Sequence, residues 1–288
     1  MGFYVNCNAK VLNTGLAQFC ADMGPIAGYI ITPPDFSMPE ADARTKSAFE
    51  TLLSADKGER IYPFPQVLAM TDNSEDTVFE EMALGNLYVR DGKYNLQFMH
   101  ESSRYKNAVL RSHSLQTVGV LFIDLQGRIH GLDDGEGNLK AVKLQQFVVE
   151  KPVLNDGAGA AYKSRVTMIF VGTEFEKSPA VVSGLDFNPL DFEGLVNVDL
   201  EIVGTPTATE IQVQINATFA GEPVNFESAD FELLTADGTA QSIVTVTAED
   251  GLHTLTGTAF ETGTLNLVKP SALTTTGYES TGAVDVTV

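Results

Sequence analysis

The sequence predicts a mainly β protein: an antiparallel β-sandwich or barrel core with one flanking α-helix, followed by a second, smaller β-sandwich. Three observations carry this reading. Apolar and polar residues alternate over short runs cut by Gly, Pro, Asn and Asp, the signature of half-buried strands joined by turns. One stretch, residues 99–113, instead spaces its apolar residues three to four apart without a breaker, as an amphipathic helix does. The charge balance then changes abruptly. Residues 1–195 hold 17 basic and 25 acidic residues, whereas residues 196–288 hold one, Lys269, and 13, so two modules are expected.

Residues 1–60 read as an N-terminal arm and extended segment. Phe3, Val5 and Val11 suggest a short strand, while Gly24-Pro25, Gly28 and Pro33-Pro34 interrupt any long helix. Residues 41–56 lack a breaker, and Ala48, Leu52 and Leu53 give them a weak helical spacing, so a helical turn and an extended arm both fit. The β core is expected over residues 61–178. It opens on 61–70, which carries Pro63 and Pro65 and so reads as an edge strand. A polar turn at 71–76 leads to strands at 77–82 and 85–90, and Asp91-Gly92 is a hairpin signal. In the next strand, 93–99, Tyr94, Leu96 and Phe98 share a face.

The helix over 99–113 has Ser102 or Ser103 as its cap, Tyr105, Ala108, Val109 and Ser112 on one side, and His100 and His113 near its ends. Strands at 117–124 and 128–131 flank the Gln126-Gly127 turn. After the loop 133–138, two long strands at 140–151 and 161–175 surround the Asn155-Asp156-Gly157-Ala158-Gly159 loop. Residues 179–195, rich in Pro, Gly, Asp and Asn, read as a linker. Residues 196–288 then show runs at 196–203, 209–219, 229–234, 242–248, 252–260, 264–268 and 283–288. That is the strand count and spacing of an immunoglobulin-like sandwich, with about seven strands and turns every eight to twelve residues. The Cys pair and core Trp of antibody domains are missing.

The composition excludes several classes of function. A net charge of −20 opposes binding to nucleic acid or an anionic membrane, which needs clustered Lys and Arg. No apolar run approaches the roughly 18 residues of a membrane-spanning helix. The N-terminal MGFYVNCNAKVLNTG lacks the charged start and apolar stretch of a signal peptide. Cys7 and Cys20 are therefore expected as free thiols in a reducing cytoplasm. His100, His113, His130 and His253 show no metal-ligand spacing, and no nucleophile elbow, phosphate loop or dinucleotide motif occurs. Asp133, Asp134, Glu136 and Asn138, and likewise Asp72, Ser74 and Asp76, offer hard oxygens. The second set has Thr77 and Ala83 where a calcium loop needs Gly and Glu, so both read as solvated turns. Glu80-Glu81 with its neighbours could pair as glycosidase carboxylates, but a chain without Trp lacks the usual sugar platform. No enzyme, cofactor or metal is expected.

One stretch goes beyond generic β patterning. YNLQF (94–98), the helix, VGVLFIDLQGRIHG (118–131), KLQQFVVEKP (143–152), the NDGAG loop and YKSRVTMIFVG (162–172) together resemble tail tube subunits of tailed bacteriophages. The preceding TDNSEDTVFEEMALGNLYVRDGKY (71–94) resembles proteins from phages of Bacteroidetes hosts. The resemblance implies a virion structural protein, assembled in the host cytoplasm as stacked, hexameric rings with other tail proteins. The tube would conduct DNA without binding it, a hairpin and arm would reach neighbours, and the immunoglobulin-like domain would decorate the outside. On this reading Asp72, Glu75, Asp76, Glu80 and Glu81 are candidates for an acidic lumen wall that repels phosphate. Arg90, Lys93, Arg104, Lys106 and Arg111 are candidates for contacts to an acidic neighbouring copy. A capsid decoration, collar or connector protein fits the same residues, as does a β-rich surface adhesin.

Overall fold

A computed structural model of the chain describes residues 4–6, 24–82, 85–101, 104–152, 162–171, 178–218 and 220–288. Strand accounts for 47% of the chain and helix for 11%, so the protein is mainly β. It divides into two compact units, residues 1–193 and 194–288.

The first unit contains β1 (Tyr4–Asn6), β2 (Ile26–Thr32), β3 (Ser37–Pro39), α1 (Lys46–Leu53), β4 (Tyr62–Pro65), β5 (Val67–Asp72), β6 (Val78–Met82), β7 (Gly85–Arg90) and β8 (Asn95–Glu101). Then follow α2 (Arg104–Ser112), β9 (Gly119–Asp124), β10 (Ile129–Asp133), β11 (Asn138–Lys140), β12 (Val142–Val149), β13 (Lys163–Phe170) and β14 (Pro179–Val182). β9 is the hub. One edge pairs with β2 along its length, from Ile26 opposite Asp124 to Thr32 opposite Gly119. The other edge serves two strands, β10 at Ile123–Ile129 and β12 at Val120–Val142. Two strands on one edge must diverge. One lobe continues through β12, β13, β8 and β5, the other through β10, β14 and β1, and the sheet curls into a half-barrel.

The concave face is filled by Tyr29, Phe98, Phe122, Phe147, Val166, Met168 and Phe170, with Leu110 of α2 among them. Their rings are in contact, at centroid distances of 5.6 Å for Tyr29–Phe98 and 6.0 Å for both Phe98–Phe122 and Phe122–Phe170. Each such buried ring contributes about 1.5–3 kcal/mol. β12 reaches this face only through a β-bulge. Leu144 pairs with Phe170, but Gln146 pairs with Ile169, so one extra residue is absorbed. Gln145 and Gln146 stay exposed while Phe147 and Val149 turn inward.

Three expectations change here. Residues 1–60 are not simply an arm, because β2 is a central strand and six of its seven residues are buried. Gly28 fits the strand rather than disrupting it: a Cβ there would sit 3.0 Å from Pro65 Cα in β4, a tight approach. Residues 179–195 do not form a linker. β14 pairs with β10 and β1, and Phe187 and Phe192 pack on Phe49 of α1 at 5.4 and 6.1 Å. Asp186 accepts a 2.7 Å hydrogen bond from the Lys46 amide at the start of α1, where backbone donors lack helical partners. The helix expected over 99–113 begins later, because β8 extends to Glu101. Its buried residues are Asn107 and Leu110, whereas Ala108 is exposed. The cap at Ser102 or Ser103, the loop at 155–159 and both cysteines lie outside the described residues.

The second unit is a sandwich. β15 (Val196–Val203), β16 (Glu210–Ala217), β18 (Thr245–Glu249), β19 (Leu252–Thr256) and β21 (Tyr278–Ser280) form one sheet. β17 (Phe231–Thr235), β20 (Gly263–Leu267) and β22 (Val284–Val286) form the other. Alternate residues, including Val198, Ile211, Val213, Ile215, Leu233, Leu255, Leu265 and Val286, meet between them. The three-residue β21 was not legible in the sequence; it pairs in parallel with β15. Two buried polar side chains fasten this unit. Asp230 accepts hydrogen bonds from the Glu227 and Thr274 amides and from the Thr274 and Thr275 hydroxyls. His253 Nε2 accepts from the Phe226 amide at 2.8 Å while Nδ1 meets the Gly251 carbonyl at 2.9 Å, so the neutral ring donates from Nδ1.

Candidate assembly interface

The surface that the first unit's own packing leaves unexplained lies between β5 and β8. Among the described residues β5 pairs only with β8, and it shows Leu68 and Met70 to solvent. An open, apolar strand edge is a template for pairing with another chain. Beyond it, β6 and β7 pair among the described residues with each other alone, as a two-stranded sheet. Val78, Phe79, Leu87, Tyr88 and Val89 on this hairpin are 36–55% exposed. In the register, Phe79 faces Tyr88 and Glu80 faces Leu87, so side-chain alternation places apolar groups on both faces. The Phe79 and Tyr88 rings meet edge to face at 6.2 Å. A two-stranded hairpin without a core is marginal by itself in water.

Its base is fastened to the sheet. The Asn73 amide donates to the Asn95 carbonyl at 2.8 Å, and that of Glu75 to Lys93 at 3.0 Å. Ser74 Oγ accepts from the Asn95 amide at 3.1 Å. Asp91-Gly92 is therefore not a hairpin turn. The hairpin is instead formed by β6 and β7, in which Met82 pairs with Gly85. Gly92 instead marks a crossing of chains, where a Cβ would fall 1.7 Å from the Glu75 carbonyl oxygen.

The five candidate wall acids are all exposed but do different things. Asp72 accepts from the Ser74 amide at 2.9 Å, and hydrogen bonds from Ser74 hold its carboxyl below the usual range. Glu75 pairs with Arg90 at 3.1 Å. Glu80 and Glu81 stand on opposite faces of the hairpin, which is no geometry for a shared carboxylate site. The basic candidates do not gather in one place. Arg90 belongs to the hairpin, and Lys93 Nζ reaches Gln145 Oε1 at 3.3 Å. Lys106 and Arg111 are exposed on α2, and the side chain of Arg104 lies outside the described residues.

The other polar clusters are structural. Asp134 accepts from the Glu136 and Asn138 amides and the Asn138 side chain, and Asp133 from the Gly135 amide, so the turn consumes its own oxygens. Among the described residues no group of three or more His, Cys, Asp or Glu could hold a metal, and no helix is long and apolar enough to cross a membrane. His100 lies buried in β8 rather than in the helix, and burial lowers its pKa to about 4. His113 follows α2 and packs on Tyr62 at 4.4 Å. A cleft of about 490 Å³ in the second unit is lined by Asp237, Gln241, Glu261 and several threonines. Gln241 is tied to the Glu261 backbone in both directions, and Asp237 accepts from Thr239.

Sequence reasoning missed Leu68, Met70, Phe79, Leu87, Tyr88 and Val89 as surface residues. Their alternation fits a buried strand equally well, and the signal available was the acids between them. Comparison with protein-family models and with curated proteins gives no match, so the functional reading rests on this geometry and on the resemblance described above.

Proposed function

We propose that the chain is a self-assembling structural subunit that forms the tail tube of a tailed bacteriophage, in stacked rings. The observation that carries this reading is the β6–β7 hairpin, fixed at its base and apolar on both faces, beside the open β5 edge. Apolar side chains that no element of their own unit covers are suited to a partner's surface. A heterologous contact between copies closes into rings when the rotation allows it. The exposed acids Asp72, Asp76 and Glu81 fit a wall that lets DNA slide past. The immunoglobulin-like unit fits an outward decoration.

Negative-stain electron microscopy of the purified protein tests the proposal. Rings or tubes are expected. A chain that stays monomeric at every concentration removes it and favours a decoration, collar or adhesive role.

A further inference from the structure

A second exposed feature lies at the far end of α2. Leu115 has φ +65°, a left-handed conformation that residues bearing a Cβ avoid. Its amide donates to the Phe147 carbonyl at 2.8 Å, which pins the backbone in place. The side chain itself is 80% exposed, so packing within its own unit gives little return for the strain. One turn earlier on α2 stands Arg111, exposed and without an acidic partner among the described residues. α2 carries no acid of its own. The hairpin offers the complement. Glu80 stands opposite Leu87, so the two side chains share one face of the hairpin. In a chain of net charge −20, copies repel one another, so contacts form most readily where an uncompensated cation meets an acid.

We infer that the end of α2 is the seat for the β6–β7 hairpin of a second copy, with Leu115 against Leu87 and Arg111 against Glu80. The inference rests on the self-assembly reading and adds where the hairpin goes. A charge swap tests it in the full-length chain: Arg111→Glu and Glu80→Lys, separately and together, with assembly followed by sedimentation and negative stain. Each single change should raise the concentration needed for assembly roughly tenfold or more, the size of a lost close charge pair. The double variant should return close to the original value. Leu115→Gly should give effects of opposite sign: a higher Tm for the isolated subunit, because the left-handed strain is relieved, and weaker assembly. Single variants that assemble normally, a double variant that is merely additive, or a Leu115→Gly protein that assembles unchanged would each overturn the docking assignment and leave self-assembly standing. An unsubstituted chain that never assembles would remove both.

Discussion

Two hairpins in the first unit are built alike and used in opposite ways. β9–β10 is buried along its whole length, and its turn is clasped by one carboxylate. Asp124 accepts from the Gln126 and Arg128 amides at 2.9 Å each, from Arg128 Nε at 2.6 Å and from His130 Nε2 at 2.8 Å. Burial would raise the Asp124 carboxyl, but these bonds outweigh it and hold it below its ordinary range. His130 is pushed down by its own burial, so the contact at neutral pH is a neutral imidazole donating to a carboxylate. β6–β7 shows no buried residue among its described side chains. The difference teaches where stability resides: the first hairpin anchors the half-barrel, and the second contributes almost nothing to the fold that holds it.

The comparison can be broken by mutation, and the buried hairpin should give the largest effects. Phe122→Ala removes a fully buried ring at the centre of the core and should cost about 3–5 kcal/mol in denaturant unfolding. Asp124→Ala leaves Arg128 and His130 without their acceptor and should cost about 3 kcal/mol; a loss under a tenth of that would show the clasp to be ornamental. Acid should act next. His100 is held at about 4, and burial also lowers His113 and His130. The unfolded chain therefore takes up protons below the ordinary histidine pKa while the folded chain does not. Stability should fall as pH drops from about 6.5, and for His100 the fall should end near pH 4, where the folded state also protonates. Asp124 adds a later loss, as pH falls through its depressed folded value. Thermal melts across this range would show the two stages.

The projecting hairpin should give the opposite result. Phe79→Ser with Leu87→Ser should change unfolding free energy by no more than about 0.5 kcal/mol yet abolish assembly in the stained images. The smallest effect is expected from a chain ended after Glu193. The two units have separate cores, so the melting temperature of the first unit and its assembly should both be unchanged.

Much of the β architecture was legible because it is local. The alternation in 196–203 and 209–219 became β15, with those bounds, and β16, which spans Glu210–Ala217. The long strand beginning near residue 140 became β12, although Leu144, Phe147 and Val149 fit one face only if the bulge at Gln145-Gln146 is known. β2 was illegible because Gly28 and the flanking prolines are breaker signals, and only the close approach of β4 explains the glycine. β14 and the Phe187–Phe192 segment read as linker because their partners, β10 and α1, lie far away in sequence. On the β6–β7 hairpin, the acids Glu80 and Glu81 were legible as exposed, whereas the apolar residues beside them were not.

The sequence by itself determined the fold class, the two-module division and the absence of recognisable catalytic spacing, because periodicity, turn chemistry and charge balance are properties of neighbouring residues. Tertiary structure alone decided which strand edges are covered and which apolar residues face solvent. Leu121 and Leu87 are both strand leucines, but β9 is sandwiched between other strands, whereas among the described residues β7 has only β6 beside it. Burial is set by what packs from a distance, and no local pattern encodes that.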